Sequence, residues 1–292
     1  MATSTAFEGM SPTFGDTSAE DARPRFSLLM PTKDRPDELA QAIEAIRAQD
    51  FESWELVIKD GGDARGVIPR DERITYLRGP ERNLAHALNI AMTRASGQIF
   101  NWANDDDPLL PGALSYVDAS IGTAMWLRGR VKVVDRIYGR GRIEATEPWD
   151  IQRLKLQAPL WTPSVFWRSE AAMAVGLMDE SVPLACDYDY WIRLGDRWPP
   201  KIIDQVLAQN TQHKGTLSQR NIDRQLMEAD RIRARYGFVR VAQLEVELEQ
   251  SRSAAADTQR ALMDIRRSEF WRATAPLRRA LDYFYALRGR RS

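Results

Sequence analysis

Hydrophobic and polar positions change their rhythm at Phe26. The first 24 residues are rich in Ser, Thr, Gly and acids with few large apolar side chains, which predicts an unstructured arm. "FSLLMP" is then a short apolar run ended by proline and predicts a buried strand. "RPDELAQAIEAIRAQD" places Leu39, Ile43 and Ile46 at helical spacing, with Pro36 and Asp37 in its first turn. "WELVIKDGG" and "ITYLRG" predict two more strands, and "NLAHALNIAMTRASG" a helix closed by Gly97 as its C-cap. "QIFNWA" is a strand that runs directly into Asp105, Asp106 and Asp107.

Strand and helix alternating through short connections predict a parallel, doubly wound sheet. Ligands of such sheets bind outside the carboxyl ends of the strands. Asp60 and the three consecutive aspartates both fall at such ends, so one cleft could hold them. Further on, "GALSYVDASI", "SEAAMAVGLMDE" and "CDYDYWIRLGDRW" read as helices, with Tyr190, Trp191 and Leu194 on the apolar side of the last. "AMWLRGRVKVVD" and "KIIDQVLAQNTQHKG" read as strands.

The pattern shifts again beyond Ser218. Leu244, Leu248, Ser251, Ala255, Thr258, Leu262 and Ile265 follow spacings of four and three, a weak heptad seam suited to a coiled coil, a docking helix or an oligomer contact. The last stretch, from Arg266, carries eight arginines interleaved with Phe270, Trp271, Tyr283, Phe284 and Tyr285. That composition suits a membrane surface or a partner; the alternative is a helix packed on the protein's own body. The expected domains are therefore an arm over 1–24, an α/β domain over 25–218, and a helical or coiled-coil extension with a basic aromatic tail over 219–292.

Composition narrows this picture without redirecting it. The 292 residues balance 41 acids against 41 bases, so net charge calls for no nucleic acid. One cysteine excludes an internal disulfide framework and suits a reducing compartment. No run of 18 apolar residues occurs, and the first residues lack the basic start and apolar core of a signal peptide. The expectation is a cytoplasmic protein, with the inner membrane face as a further station through the tail.

The aspartate run carries the chemistry. Adjacent carboxylates repel by about 1 kcal/mol in water and more in a cleft. Something positive should therefore sit there, most simply Mg or Mn, which take carboxylate oxygens and complete their shell with water and phosphate. The alternative is an acidic turn starting a helix.

Three ordered pieces, from Phe26 to about Ser218, resemble an inverting, family-2-type glycosyltransferase with the GT-A fold. They are "SLLMPTKDRPDELAQAIEAIRAQDFESWELVIKDGG", "HALNIAMTRASGQIFNWANDDDPLLPGAL" and "TPSVFWRSEAAMAVGLMDESVPLACDYDYWIRL". The resemblance implies a GT-A-like mixed sheet flanked by helices and transfer of a hexosyl or deoxyhexosyl unit. The donor would be a nucleotide diphosphate-sugar and the acceptor a hydroxyl of a glycan or lipid-linked glycan, in surface polysaccharide synthesis. It implies that Pro31, Thr32, Asp34, Asp60 and Asp105 lie along the donor nucleotide, and that Asp107, with His213, holds a divalent metal (Mg or Mn). It implies Asp187 as the base that deprotonates the acceptor; the alternative is an acid capping the following helix. Trp161, Trp167, Tyr188 and Asp189 are acceptor-side candidates. "GGDARG" after Asp60, Lys33 and His86 depart from the family pattern. The competing readings are a non-catalytic scaffold of a polysaccharide-assembly complex and a nucleotidyltransferase. The latter is disfavoured because no Gly- and Lys-rich phosphate loop follows the first strand.

Overall fold

The computed structural model describes residues 23–238, except 138, 158, 159 and 214. It also describes 251–252, 255–265, 267–268, 273–274 and 276. The chain divides into two compact units, Met1–Tyr236 and Gly237–Ser292.

The first unit is built on one mixed sheet. Strands β1 (Phe26–Thr32), β2 (Trp54–Asp60), β3 (Ile74–Arg78) and β4 (Ile99–Trp102) run parallel in the order β3-β2-β1-β4. Helices α1 (Pro36–Arg47) and α2 (Leu84–Arg94) make the crossovers. β1, β2 and β4 are buried on both faces, which is why they read as unbroken apolar runs. Beyond β4 the sheet turns antiparallel. β7 (Val165–Arg168) pairs with β4 and with the first part of β5 (Trp126–Asp135), and β6 (Arg140–Ile143) pairs with the second part of β5. β8 (Lys201–Gln212) runs parallel to β5. The purely parallel sheet expected from periodicity thus holds only for the first four strands, whereas the mixed sheet expected from the family resemblance is present.

Helix α1 buries Leu39, Ala42, Ile43 and Ile46 on one face of the sheet; α3 (Ala113–Ile121) packs Leu114 and Val117 into the same layer. On the other face, α2, α5 (Ser169–Val175) and α6 (Cys186–Arg197) meet a cluster of large aromatics. Trp126 stacks on Trp191 at 6.2 Å, and Trp167 meets Trp191 and Tyr190 edge-on at 5.2 and 5.7 Å. A short helix α4 (Ile151–Gln157) covers part of this layer with Leu154.

Two local expectations differ from what forms. Helix α2 ends on Ala95 in extended conformation, not on Gly97. Gly97 is instead needed for close approach: a Cβ there would lie 2.5 Å from Ser27 Oγ, in a polar knot where Glu55 accepts from Ser27, Ser96 and Gly97. The compact unit also continues past Ser218, through α7 (Leu217–Arg220) and α8 (Ile222–Arg235). Helix α8 buries Ala229 and Ile232 in the aromatic layer, and its Glu228 accepts the Leu184 N–H at 2.6 Å.

In the second unit residues 255–265 are helical, with Leu262 and Ile265 half exposed. Leu244, Leu248 and most of the basic aromatic tail lie outside the described residues. Among the described residues no helix is long and apolar enough to cross a membrane.

Candidate active site

The carboxyl ends of β1 and β4 open into a cleft of about 1060 Å3 that also reaches the start of α6 and the end of β8. Pro31, Thr32, Asp34, Asp105, Asp107, Trp161, Asp187, Tyr188 and His213 all border it, although they come from five separate stretches of chain. Asp60, Trp167 and Asp189 do not.

The three consecutive aspartates have three different environments. Asp105 accepts from the Thr32 hydroxyl at 2.7 Å and from Arg35 Nη1 at 3.2 Å, and burial raises its pKa. Asp107 turns inward, 4% exposed. Its Oδ1 accepts the Thr211 N–H at 2.7 Å and its Oδ2 the amides of Asn104 and Asn210 at 2.8 and 3.0 Å, so it pins the end of β8 to the β4 loop. Burial, with the Asp106 charge beside it, pushes its carboxyl up to about 7. Both oxygens are thus engaged by the fold, which argues against the direct metal contact expected of Asp107.

Asp106 is the acid left facing the cleft. It accepts from Arg35 Nη1 at 2.8 Å, and His213 Nε2 stands 3.8 Å from the same oxygen. Arg35 also donates to the Gly215 carbonyl at 3.2 Å, which ties the His213 loop to the acids. The positive charge demanded by the acid run is therefore supplied in part by the protein itself. Reasoning from sequence passed over Arg35, although a base directly after Asp34 at the end of β1 was the available signal. His213 Nδ1 accepts from the Gly215 N–H at 3.1 Å, which leaves the neutral ring's proton on Nε2.

A hard cation fits here only in one way. Among the described residues no three His, Cys, Asp or Glu side chains converge as a ready cage. One carboxylate from Asp106 beside His213 nevertheless matches the sparse protein contribution to a Mg or Mn site whose other oxygens come from phosphates and water.

Asp60 was expected on the nucleobase and instead organises a loop. It is fully buried: Oδ1 accepts the Gly62 N–H at 2.6 Å, and Oδ2 accepts the Ala64 N–H at 2.7 Å and the Tyr76 hydroxyl at 2.6 Å. Those bonds outweigh the opposing effect of burial and hold its carboxyl below the usual range, while Tyr76 is pushed up to about 12. The loop it shapes brings Gly62 against Asp34, where a Cβ would fall 2.5 Å from Asp34 Oδ1. Asp34 itself takes a left-handed φ of 55°.

On the opposite wall Asp187 opens helix α6. Thr162 donates its hydroxyl to Oδ2 at 2.9 Å, and the Tyr188 N–H reaches Oδ1 at 2.8 Å. Burial raises its pKa despite both bonds. Trp161 is half-buried at the cleft wall. Tyr188 is nearly buried and donates to the Lys155 carbonyl. Trp167 is wholly core, and Asp189 is spent on ion pairs with Arg193 (2.8 Å) and Arg235 (3.4 Å), so both are structural where acceptor contact was expected.

Comparison with known proteins agrees with this geometry. Residues 27–122 match the family model for glycosyl transferase family 2. A GalNAc(5)-diNAcBac-PP-undecaprenol beta-1,3-glucosyltransferase of Campylobacter jejuni is 34% identical over 105 residues, 32% of this chain and 33% of that protein. The putative colanic acid biosynthesis glycosyl transferase WcaA of Escherichia coli is 26% identical over 209 residues, 64% of this chain and 73% of that protein. The chain thus spans about a third of the Campylobacter protein's length. Among solved structures, the mannosyltransferase PcManGT from Pyrobaculum calidifontis, in complex with GDP-Man and Mn2+, superposes with a TM-score of 0.58 at 18% identity. It covers 95% of this chain and 81% of its own. S. aureus TarS 1-349 in complex with UDP-GlcNAc superposes at 0.51 and 15% identity, covering 66% and 60%. Residues 27–122 are thus similar to family 2 glycosyltransferases, and the described sheet has the GT-A fold.

Proposed function

We propose that the protein is an inverting, metal-dependent glycosyltransferase. It would move a hexosyl or deoxyhexosyl unit from a nucleotide diphosphate-sugar to a hydroxyl of a glycan in surface polysaccharide synthesis. One observation carries this reading: the acids after β4 and the carboxylate of Asp187 border the same cleft. Relatives and structural neighbours, among them a glucosyltransferase and complexes with UDP-GlcNAc and GDP-Man, support the donor class.

Asp106 would hold the divalent ion, with His213 beside it. When bound, that ion supplies Lewis-acid neutralisation of the departing nucleoside diphosphate. Thr32 and Asp34 line the cleft at the end of β1 and would orient the nucleotide. Asp105 would take part through its own hydrogen bonds with Thr32 and Arg35. Arg35, released from Asp106, would turn its guanidinium to the diphosphate, whose geometry its planar fork matches.

Asp187 would accept the acceptor hydroxyl's proton as that oxygen attacks the anomeric carbon and the bond to the phosphate oxygen breaks. Attack from the side opposite the leaving group inverts the configuration. A raised pKa makes Asp187 a stronger base than an ordinary carboxylate, and the Thr162 bond fixes its orientation.

The test is a panel of nucleotide sugars with Mg or Mn and glycan acceptors, scored by release of the nucleoside diphosphate. Asp187→Asn should lower transfer by about 10²- to 10⁴-fold and leave nucleotide binding intact. Full transfer by that variant removes Asp187 from the base role. Asp106→Asn should abolish the metal dependence of nucleotide binding.

A further inference from the structure

A second cavity, of about 310 Å3, lies between β5 and the segment that crosses from Glu144 to Arg153. We infer that it is an acceptor subsite for a sugar unit carrying an oxyanion, a carboxylate or a phosphate, and that Arg128 holds that group. This rests on the glycosyltransferase reading only in naming the ligand as part of the acceptor.

Arg128 sits in the middle of the sheet, paired with Val165 of β7 and Ile202 of β8, and is 9% exposed. A guanidinium buried that deeply ordinarily faces a carboxylate, since an uncompensated buried charge is costly. Here it has none among the described residues. Among the described residues its one hydrogen bond goes to the Glu147 carbonyl, and its Nε has no partner. Burial and the nearby Arg153 both lower its pKa, as expected of a cation lacking an anion.

Every other cation at the cavity has a carboxylate partner. Arg130 pairs with Asp204 at 3.2 Å, and Arg153 pairs with Glu147. Glu144 binds Arg142 at 2.6 Å, and Asp150 caps α4 through the Gln152 N–H at 2.9 Å. Among the described residues Arg128 is therefore the one lining cation without a carboxylate partner, and its planar fork suits carboxylate or phosphate.

The walls suit a sugar ring. Trp149 is fixed edge-on against Trp126 at 5.3 Å and lies over Gly195, where a Cβ would come within 2.7 Å of its ring. Trp161 is a second indole in the lining. The volume is at the lower end for ligand sites, enough for one saccharide unit and not for a chain. Leu160 and Trp161 belong to this cavity and to the donor cleft alike, and the next residue, Thr162, donates to Asp187. One wall separates the cavity from the proposed base, which places a neighbouring unit of the acceptor there.

The experiment measures binding of glucuronate, glucose 6-phosphate, glucose and inorganic phosphate to the full chain, by titration and by shift in melting temperature. Either anionic sugar should bind about tenfold or more tightly than glucose, the strength expected of a charge-assisted hydrogen bond. Whichever of the two binds better identifies carboxylate or phosphate as the group. Arg128→Met should abolish the preference without lowering the melting temperature, because it removes a buried charge that has no carboxylate partner. Equal binding of all three sugars by the unaltered protein overturns the inference. So does inorganic phosphate binding as tightly as glucose 6-phosphate, or an unchanged preference in Arg128→Met. A variant that fails to fold would show the guanidinium to be structural, and the ligand series on the unaltered protein still decides. Nucleotide-sugar turnover is read separately. Its absence sinks the proposed activity and leaves the anion preference measurable, and Arg128→Met should retain nucleotide binding.

Discussion

The two halves of the sheet position their acids by different means. On the proposed nucleotide side, Asp60, Asp105 and Asp107 are each fixed by two or three donors from backbone, hydroxyl, amide and guanidinium groups. On the proposed acceptor side Asp187 has one side-chain donor, Thr162, and stands on a helix held in place by packed indoles. Hydrogen bonds set the first half to its geometry, and apolar volume sets the second. Failures of the two should therefore look different: local and pH-sensitive in one, global in the other.

The sharpest way to break the contrast is Trp191→Ala. Removing a ring that touches Trp126, Trp167 and Tyr190 should cost about 3–5 kcal/mol in chemical denaturation. A loss below about 1 kcal/mol would mean the acceptor side is not held by its aromatic layer. Asp60→Asn comes next, at about 1–3 kcal/mol, since a neutral amide cannot satisfy three donors. Tyr76→Phe removes only one of them and should cost less. It should also raise the Asp60 pKa towards its unfolded value. Asp60 has a depressed folded pKa, so its stability is present above the unfolded carboxylate pKa and lost as pH falls through the folded one. Acid unfolding should then move to higher pH in Tyr76→Phe, as read from a pH titration of melting temperature.

The smallest effect concerns Asp187. Removing the Thr162 hydroxyl by Thr162→Val takes away a bond that favours the charged form. With Asp187 as the proposed base, the acid limb of the kcat/KM profile should lie above the ordinary carboxylate range in the unaltered protein and shift further upward in the variant. An unmoved limb would uncouple Thr162 from the proposed base.

Much of this contrast was legible in the sequence, and unevenly so. The parallel strands announced themselves because burial on both faces leaves apolar runs, as in "FSLLMP" and "LVI". The antiparallel half was harder: whether a strand lies parallel to its neighbour depends on partners distant in sequence, as when β8 returns beside β5. The aspartate run marked the cleft, but identical letters concealed unlike surroundings. Asp107 turns inward because Asn104 and Asn210 are there to receive it, and Asn210 lies more than a hundred residues away. Arg128 was equally hidden, since nothing local in "LRGRV" says which of its two arginines finds a carboxylate.

Helix α8 sets where this protein can be divided. Its Ala229, Ile232, Glu228 and Arg235 are all spent on α6 and the segment before it. A chain cut after Ser218 would uncover Ile232's site in the aromatic layer, free the Leu184 N–H and strip Asp189 of one of its two arginines. A chain cut after Tyr236 keeps every one of these contacts. The smallest piece that can be expected to work alone is therefore longer than the family resemblance outlines, because its last helix serves as the lid of its core.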